Sequence, residues 1–366
     1  MSLLAKRLRM GSGGDAPIAQ KLYTCGSQNG SGALGLGDNV NRSSPVQVGA
    51  QGDWSLVSVG TSHMLGLRGG KLFSWGSGST GRTGHNDTTN RSSPVQVGAA
   101  EDWEAIGAGG AFSVAIRAGA LFAWGQNSSG ESGQNDMTVR SSPVQVGAAT
   151  DWDAVSAGQA FWIGLRAGAL YFCGLGTSGQ CGQGDAVSRS SPVQIGAATD
   201  WEAIAAGNAF WIGLRAGALY FCGLGTSGQS GQGDAVSRSS PVQVGGLTDW
   251  EVIAAGNLFW VGIRAGELYA CGNNTNGNLG QNNTTSRSSP VQVGGLTDWE
   301  ACGASDSALY AIRAGALYAC GIGTAGQMGQ GDAVSRSSPV QVGGLTGWAV
   351  ISGARAGNAW GGIRIA

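Results

Sequence analysis

The phrase SRSSPVQVG, residues 237–245, decides the architecture of this chain. Its core, RSSPVQ, starts at Arg42, Arg91, Arg140, Arg189, Arg238, Arg287 and Arg336, each 49 residues after the last. Only Ile195 departs from the valine that follows. One period, read from Pro241, holds PVQV as an extended run, GGLTD as a turn, WEVIAAG as a second run and LFWVGIR as a third. RAGE is then a tight turn and LYACG a fourth run. Four short β-rich runs divided by glycine-rich turns describe a four-stranded antiparallel sheet. No repeat carries a sustained 3.6-residue apolar period.

Such a sheet cannot bury both faces alone, so the copies must stack, and a four-stranded unit at this pitch is a propeller blade. The last copy stops at WGGIRIA, before the run that elsewhere follows RAG. The missing strand stands at the front of the chain as KLYTCG, residues 21–26. The expectation is an all-β, single closed seven-bladed β-propeller over residues 21–366, with residues 1–20 apart from it. Closure by the N- and C-terminal strands removes the free sheet edges of a linear stack. Proline donates no backbone hydrogen bond, so RSSPVQ is placed as the start of each blade's outermost strand.

Composition narrows the function classes. The 366 residues include 68 Gly without a three-residue period, which excludes collagen, and 13 Trp in a 42% hydrophobic chain, which excludes wholesale disorder. A net charge of −1 offers no global field for nucleic acid, and no apolar run reaches the length of a membrane helix. The N-terminus MSLLAKRLRMGSGG has no secretory h-region, so synthesis in the cytosol is expected. Seven cysteines without a CxxC pair argue against a disulfide framework or structural zinc.

The phrases LGLGD (34–38), VSVGTSHMLGL (57–67), WGSGSTG (75–81) and RSSPVQV resemble the regulator of chromosome condensation repeat family over residues 21–366. The resemblance implies a seven-bladed propeller. The regular, glycine- and tryptophan-rich copies look like bacterial and bacteriophage members. The family's usual third-strand histidine survives only as His63, with Phe112, Phe161, Phe210 and Phe259 at the same offset. The constant pitch leaves no room for the wedge through which the nuclear member acts as a GTPase exchange factor. Lys6, Arg7 and Arg9 are a poor match to its basic tail, and the GWRHT signature of the plant ultraviolet-B receptor is absent. Fold transfers; those activities do not.

Most recurring residues read as scaffold. Trp54, Trp103, Trp152, Trp201, Trp250, Trp299 and Trp348 recur at the repeat period, as core positions do. Trp162, Trp211, Trp260 and Trp360 alternate with Met64, Ser113 and Leu309, which leaves an exposed functional face as the alternative to core. The RSSP arginines and a second set, Arg68, Arg117, Arg166, Arg215, Arg264, Arg313 and Arg364, could ring an anion. Pairing with repeat-bound acids such as Asp53, Asp102, Asp151, Asp200, Asp249 and Asp298 fits the near-zero charge better. Gly347 replaces that acid in the last copy, so one arginine there is expected to lack it. Cys25, Cys173, Cys222, Cys271 and Cys320 share a position with Trp75 and Trp124 and read as core, as does Cys302. Cys181, with Ser230 in its near-twin copy, is the candidate for an exposed, oxidisable thiol. GxGxxG occurs within residues 173–179 and in two further copies. A turn without a following helix is not a dinucleotide site. No catalytic residue, metal or cofactor is expected.

Candidate recognition residues lie in the polar loop 272–286, at Asn273, Asn274 and Asn276, and in an apolar sector of Leu34, Leu279 and Met328. SLLAKRLRM, with Leu4, Lys6, Arg7, Leu8 and Arg9 ahead of a GSGG linker, has the make-up of a docking peptide on a tether. The leading expectation is a non-enzymatic binding propeller on a bacteriophage virion, as a decoration or receptor-binding head facing a host surface. A cytosolic protein-interaction adaptor or exchange factor, and a glycan-binding lectin, are the alternatives. A protein partner is expected, with no nucleic acid and no membrane insertion.

Overall fold

A computed structural model describes residues 19–28, 30–354 and 357–365. The described residues form seven four-stranded antiparallel sheets. Blade I runs Trp54–Val59, His63–Arg68, Lys71–Gly76 and Arg91–Gln96 in chain order and in space. Blades II to VI repeat it over residues 103–145, 152–194, 201–243, 250–292 and 299–341. Blade VII joins Trp348–Gly353 and Ala359–Ile365 to Gln20–Gly26 and Arg42–Gln47. Its seam is continuous, from Gln20 opposite Ile365 to Gly26 opposite Ala359.

The sheet boundary differs from the period read from Pro241. RSSPVQ follows a long loop back to the blade before it and forms that blade's outer edge, so repeat and blade are offset by one strand. The ring therefore closes with two strands from each end of the chain. At this edge Arg91 lies opposite Gly76 and Val95 opposite Ser74, so the ladder skips the Ser-Ser-Pro stretch where proline has no N–H to give.

The Trp-led strands are innermost and are bonded across blades. Ser58 Oγ accepts the Ala108 N–H at 2.9 Å, and Ser156 Oγ accepts the Ala206 N–H at 3.0 Å. Each RAG hairpin also latches the next blade: the Trp152 N–H donates to Gly119 O at 2.9 Å. Gly119 has φ +70°, and a Cβ there would sit 2.1 Å from Thr150 O. Only glycine fits both conditions.

The core lies between blades rather than within one. Phe112, Val114, Ile116 and Leu121 of blade II pack with Trp152, Trp162 and Cys173 of blade III in one cluster, and the pattern recurs around the ring. A sheet two residues thick finds its second layer in its neighbour.

Candidate functional site

The ring has two chemically different faces. One carries the Trp strands' N-terminal ends, the RAG hairpins and the connections between blades. Here Arg117, Arg166, Arg215 and Arg313 donate through Nε to Asp102, Asp151, Asp200 and Asp298 at 2.5–2.6 Å, and Arg264 to Asp249. Exposed Glu104, Asp153, Glu202, Glu251 and Glu300 stand two residues beyond each of these acids. This ionic face is acidic over blades II to VI. In blade VII Arg364 donates instead to Thr346 O. In blade I Arg68 is 3.8 Å from Asp53, beyond hydrogen-bond reach, and its guanidinium lies over Phe73, 4.5 Å from the ring centroid.

The opposite, polar face carries the first inner turn of each blade and the long loops. Thr61 of blade I donates to Gln159 Oε1 of blade III at 3.3 Å, which only residues near the axis can do. The Gln159 N–H donates to Asn208 O at 3.3 Å. Asn208 Nδ2 donates to Asn257 Oδ1 at 2.7 Å, and Asn257 Nδ2 to Asp306 Oδ1 at 2.6 Å. Ser307 Oγ reaches the other Asp306 oxygen at 3.1 Å. Among the described residues, a belt of half-buried amides thus runs around the axis to the Asp306 carboxylate. Outside it, Ser79, Ser128, Thr177, Thr226, Thr275 and Thr324 stand exposed on the loop tips.

The sequence carried a signal for this belt that its reading passed over. The residue after the inner-turn glycine, or after Ser305 in blade VI and Ala354 in blade VII, is Thr61, Gly110, Gln159, Asn208, Asn257, Asp306 and Arg355 in successive copies, the last lying outside the described residues. Even the near-twin copies III and IV, identical over 160–180 and 209–229, differ there.

The RSSP arginines lie at the periphery of the polar face and pair with a different acid from the one expected. Arg42, Arg91, Arg140, Arg189, Arg238 and Arg336 each bind the aspartate four residues earlier, Asp38, Asp87, Asp136, Asp185, Asp234 and Asp332, at 2.5–2.8 Å. The Arg91 guanidinium, then the Thr89 N–H, hold the Asp87 carboxyl down at about 2. Each pair clips its own loop shut. Arg287 has Asn283 at that place and so no carboxylate.

Four of the anticipated recognition residues are buried. Leu34, Leu279 and Met328 are fully buried and belong to three different core clusters. Asn274 is fully buried as well; its Nδ2 donates to Asn283 O at 3.0 Å and Thr285 O at 3.1 Å, and its Oδ1 accepts the Leu279 N–H at 2.8 Å. It organises the loop from inside. Asn273 and Asn276 are half-buried. Cys181, expected to be exposed, is buried, and desolvation raises its thiol pKa. Leu4, Lys6, Arg7, Leu8 and Arg9 lie outside the described residues.

Both tryptophan sets are core, by different means. Trp162, Trp211, Trp260 and Trp360 donate through Nε1 to Glu131, Gln180, Gln229 and Gln327 carbonyls at 2.8–2.9 Å. The seven repeat-leading tryptophans, from Trp54 to Trp348, make edge-on aromatic contacts while their buried Nε1 atoms have no protein partner. His63, wholly buried, meets Ser113 Oγ at 2.9 Å, and burial, then the Arg82 charge, push its pKa down to about 3.

Residues 21–67, 69–116, 167–214, 265–309 and 314–359 match the family model for the regulator of chromosome condensation (RCC1) repeat. No curated protein matches the chain. Among solved structures, Prp20p from Saccharomyces cerevisiae superposes with a TM-score of 0.82 at 18% identity, covering 96% of this chain and 92% of that one. Human WBSCR16 does so at 0.82 and 18% identity, covering 94% and 99%. Yeast RCC1 (Prp20) bound to Kap60 gives 0.82 and 19%, covering 96% and 90%. At these identities the likeness is one of fold.

Proposed function

This chain belongs to the regulator of chromosome condensation (RCC1) repeat family, and we propose that it is a non-catalytic, protein-binding propeller that recognises its partner over the polar face. The axial belt carries this reading. Its members change from blade to blade, the near-twin blades III and IV included, and it presents half-buried amides, a carboxylate and surrounding hydroxyls on a rigid frame. Varied groups on an invariant scaffold suit recognition of an asymmetric macromolecular surface. The related fold supports the partner class: Prp20p is described with binding to Gsp1p and histones, and in complex with Kap60.

The finer readings fare unequally. A glycan site built on loop asparagines loses Asn274 to the interior. A docking patch of Leu34, Leu279 and Met328 loses all three. A particle-bound role rests on the absence of a secretory signal, on the neutral polar loops and on the tether-like residues 1–20, most of which lie outside the described residues. Exchange activity through a protruding wedge finds no such insertion among the described residues, where the repeat pitch is kept from blade I to blade VI.

The test is quantitative partner capture from source lysate by three forms of the chain: wild type, the polar-face variant Asn257→Ala/Asp306→Ala and the ionic-face variant Glu202→Lys/Glu251→Lys. A partner identified by mass spectrometry should bind wild type and the ionic-face variant and be lost from the polar-face one. Loss from the ionic-face variant instead, or equal capture by all three, overturns the assignment.

A further inference from the structure

The groove between blades VII and I departs from its counterparts in one respect that points to a ligand. It encloses about 470 Å³, with Trp54, Phe73, Val46, Val48 and Pro94 as apolar walls, a volume in the usual range for small-molecule sites. Arg68 lines it as well. In blades II to VI the equivalent guanidinium is held by its aspartate, but Arg68 donates no hydrogen bond to any described residue.

The difference lies at the ring seam. Elsewhere a hairpin of the RAG kind latches the next blade's Trp backbone, as Gly119 O does for Trp152 at 2.9 Å. Blade VII has Gln20 opposite Ile365 in place of that hairpin. Asp53 takes φ +67°, which no equivalent aspartate does, and its exposed carboxylate stands 3.8 Å from Arg68, an ion pair without a hydrogen bond. What remains is a planar cation stacked on Phe73, with its donor edge unspent beside a buried indole N–H at Trp54. In the I/II groove the corresponding Arg117 is bound to Asp102 at 2.6 Å.

We propose that the VII/I groove binds a carboxylate carried on an aromatic or branched apolar body, with Arg68 as its anion partner and Trp54, Phe73 and Pro94 against the body. A guanidinium fork matches a carboxylate in two parallel hydrogen bonds, and the apolar wall residues stand where the body would lie. The carboxylate can come from a free small acid or from a peptide C-terminus. Both are tested.

The experiment titrates the full chain with 2-naphthoate, with the neutral 2-naphthalenemethanol and with a short peptide ending in Phe, free or amidated, by calorimetry and ligand-observed NMR. Binding should require the carboxylate, and the better of the two acids identifies the source. Arg68→Gln should weaken it at least about tenfold, the loss of a charge-assisted pair. Arg166→Gln, which removes an aspartate-bound arginine, should leave it unchanged. Asp53→Asn, which keeps Arg68 and removes its competitor, should tighten it, and serves where Arg68→Gln fails to fold. Equal binding of naphthoate and naphthalenemethanol, an unchanged Kd in Arg68→Gln, or no binding of either acid up to about 10 mM, where even a weak site of about 4 kcal/mol would saturate, overturns the proposal.

Discussion

The two faces of this ring are built from the same repeats and held by different forces. On the ionic face, arginine–aspartate pairs are spaced one per blade, exposed, and independent of one another. On the polar face, hydrogen bonds run from blade to blade around the axis, and buried indole N–H groups are tied to carbonyls beneath it. Exposed pairs are individually weak because water and salt screen them. Buried hydrogen bonds are costly to break because the abandoned partner cannot find water. The ionic face can therefore vary with little penalty, as Gly347 and Asp53 already show. The polar face is where a substitution should be felt.

Acid should break that contrast most sharply, because the buried base lies on the polar-face side. His63 has a folded-state pKa of about 3 against about 6.5 unfolded. Below pH 6.5 the unfolded chain takes up a proton that the folded chain refuses, so stability is lost as pH falls toward 3. The loss should reach about 3 kcal/mol by pH 4. His63→Phe, copying blades II to V, should flatten the profile of thermal midpoint against pH. Parallel decline of both proteins would refute the role given to His63.

Second in size is the difference between two tryptophans of blade IV. Trp211→Phe strands the buried Gln180 carbonyl, whereas Trp201→Phe removes an N–H with no protein partner. Denaturant melts should show Trp211→Phe worse by about 1–3 kcal/mol. Equal losses would mean that packing alone sets both.

Restoring the missing acid of blade VII tests the ionic face. Gly347→Asp would set a carboxylate near Arg364, yet Gly347 has φ +84° and its Cβ would lie 2.3 Å from Ile365 O. The expected result is a loss of about 1–2 kcal/mol rather than a gain. A stabilised variant would show that the seam yields. Smallest is Asn283→Asp, which gives Arg287 its carboxylate where Asp136 already serves blade II with the same Asn127 contact. A gain of about 0.2–1 kcal/mol is expected, fading in high salt.

Much of this was legible from particular residues. The 49-residue pitch, the Pro in RSSPVQ and the KLYTCG run at the front of the chain announced a closed ring and its outer strands. The second arginine set and its aspartates were readable as pairs because both recur at the repeat period with one fixed offset, broken only where Gly347 replaces the acid. The recognition residues were misplaced because polarity and sequence variability were taken for exposure. Asn274 is polar and buried because the loop folds around its amide; Leu279 and Met328 follow it into the interior. The axial belt went unread because its members are 49 residues apart and neighbours only once the ring has closed.

By itself the sequence determined the strand type, the repeat count, the closure and the partners that lie within one period, since these follow from local alternation, turn chemistry and spacing. Tertiary structure alone decided which strand belongs to which blade, which amides meet at the axis and which arginine at the seam stands without a hydrogen bond to its aspartate. Those outcomes depend on how neighbouring copies pack and on the one junction where no hairpin joins them, and no single repeat contains that information.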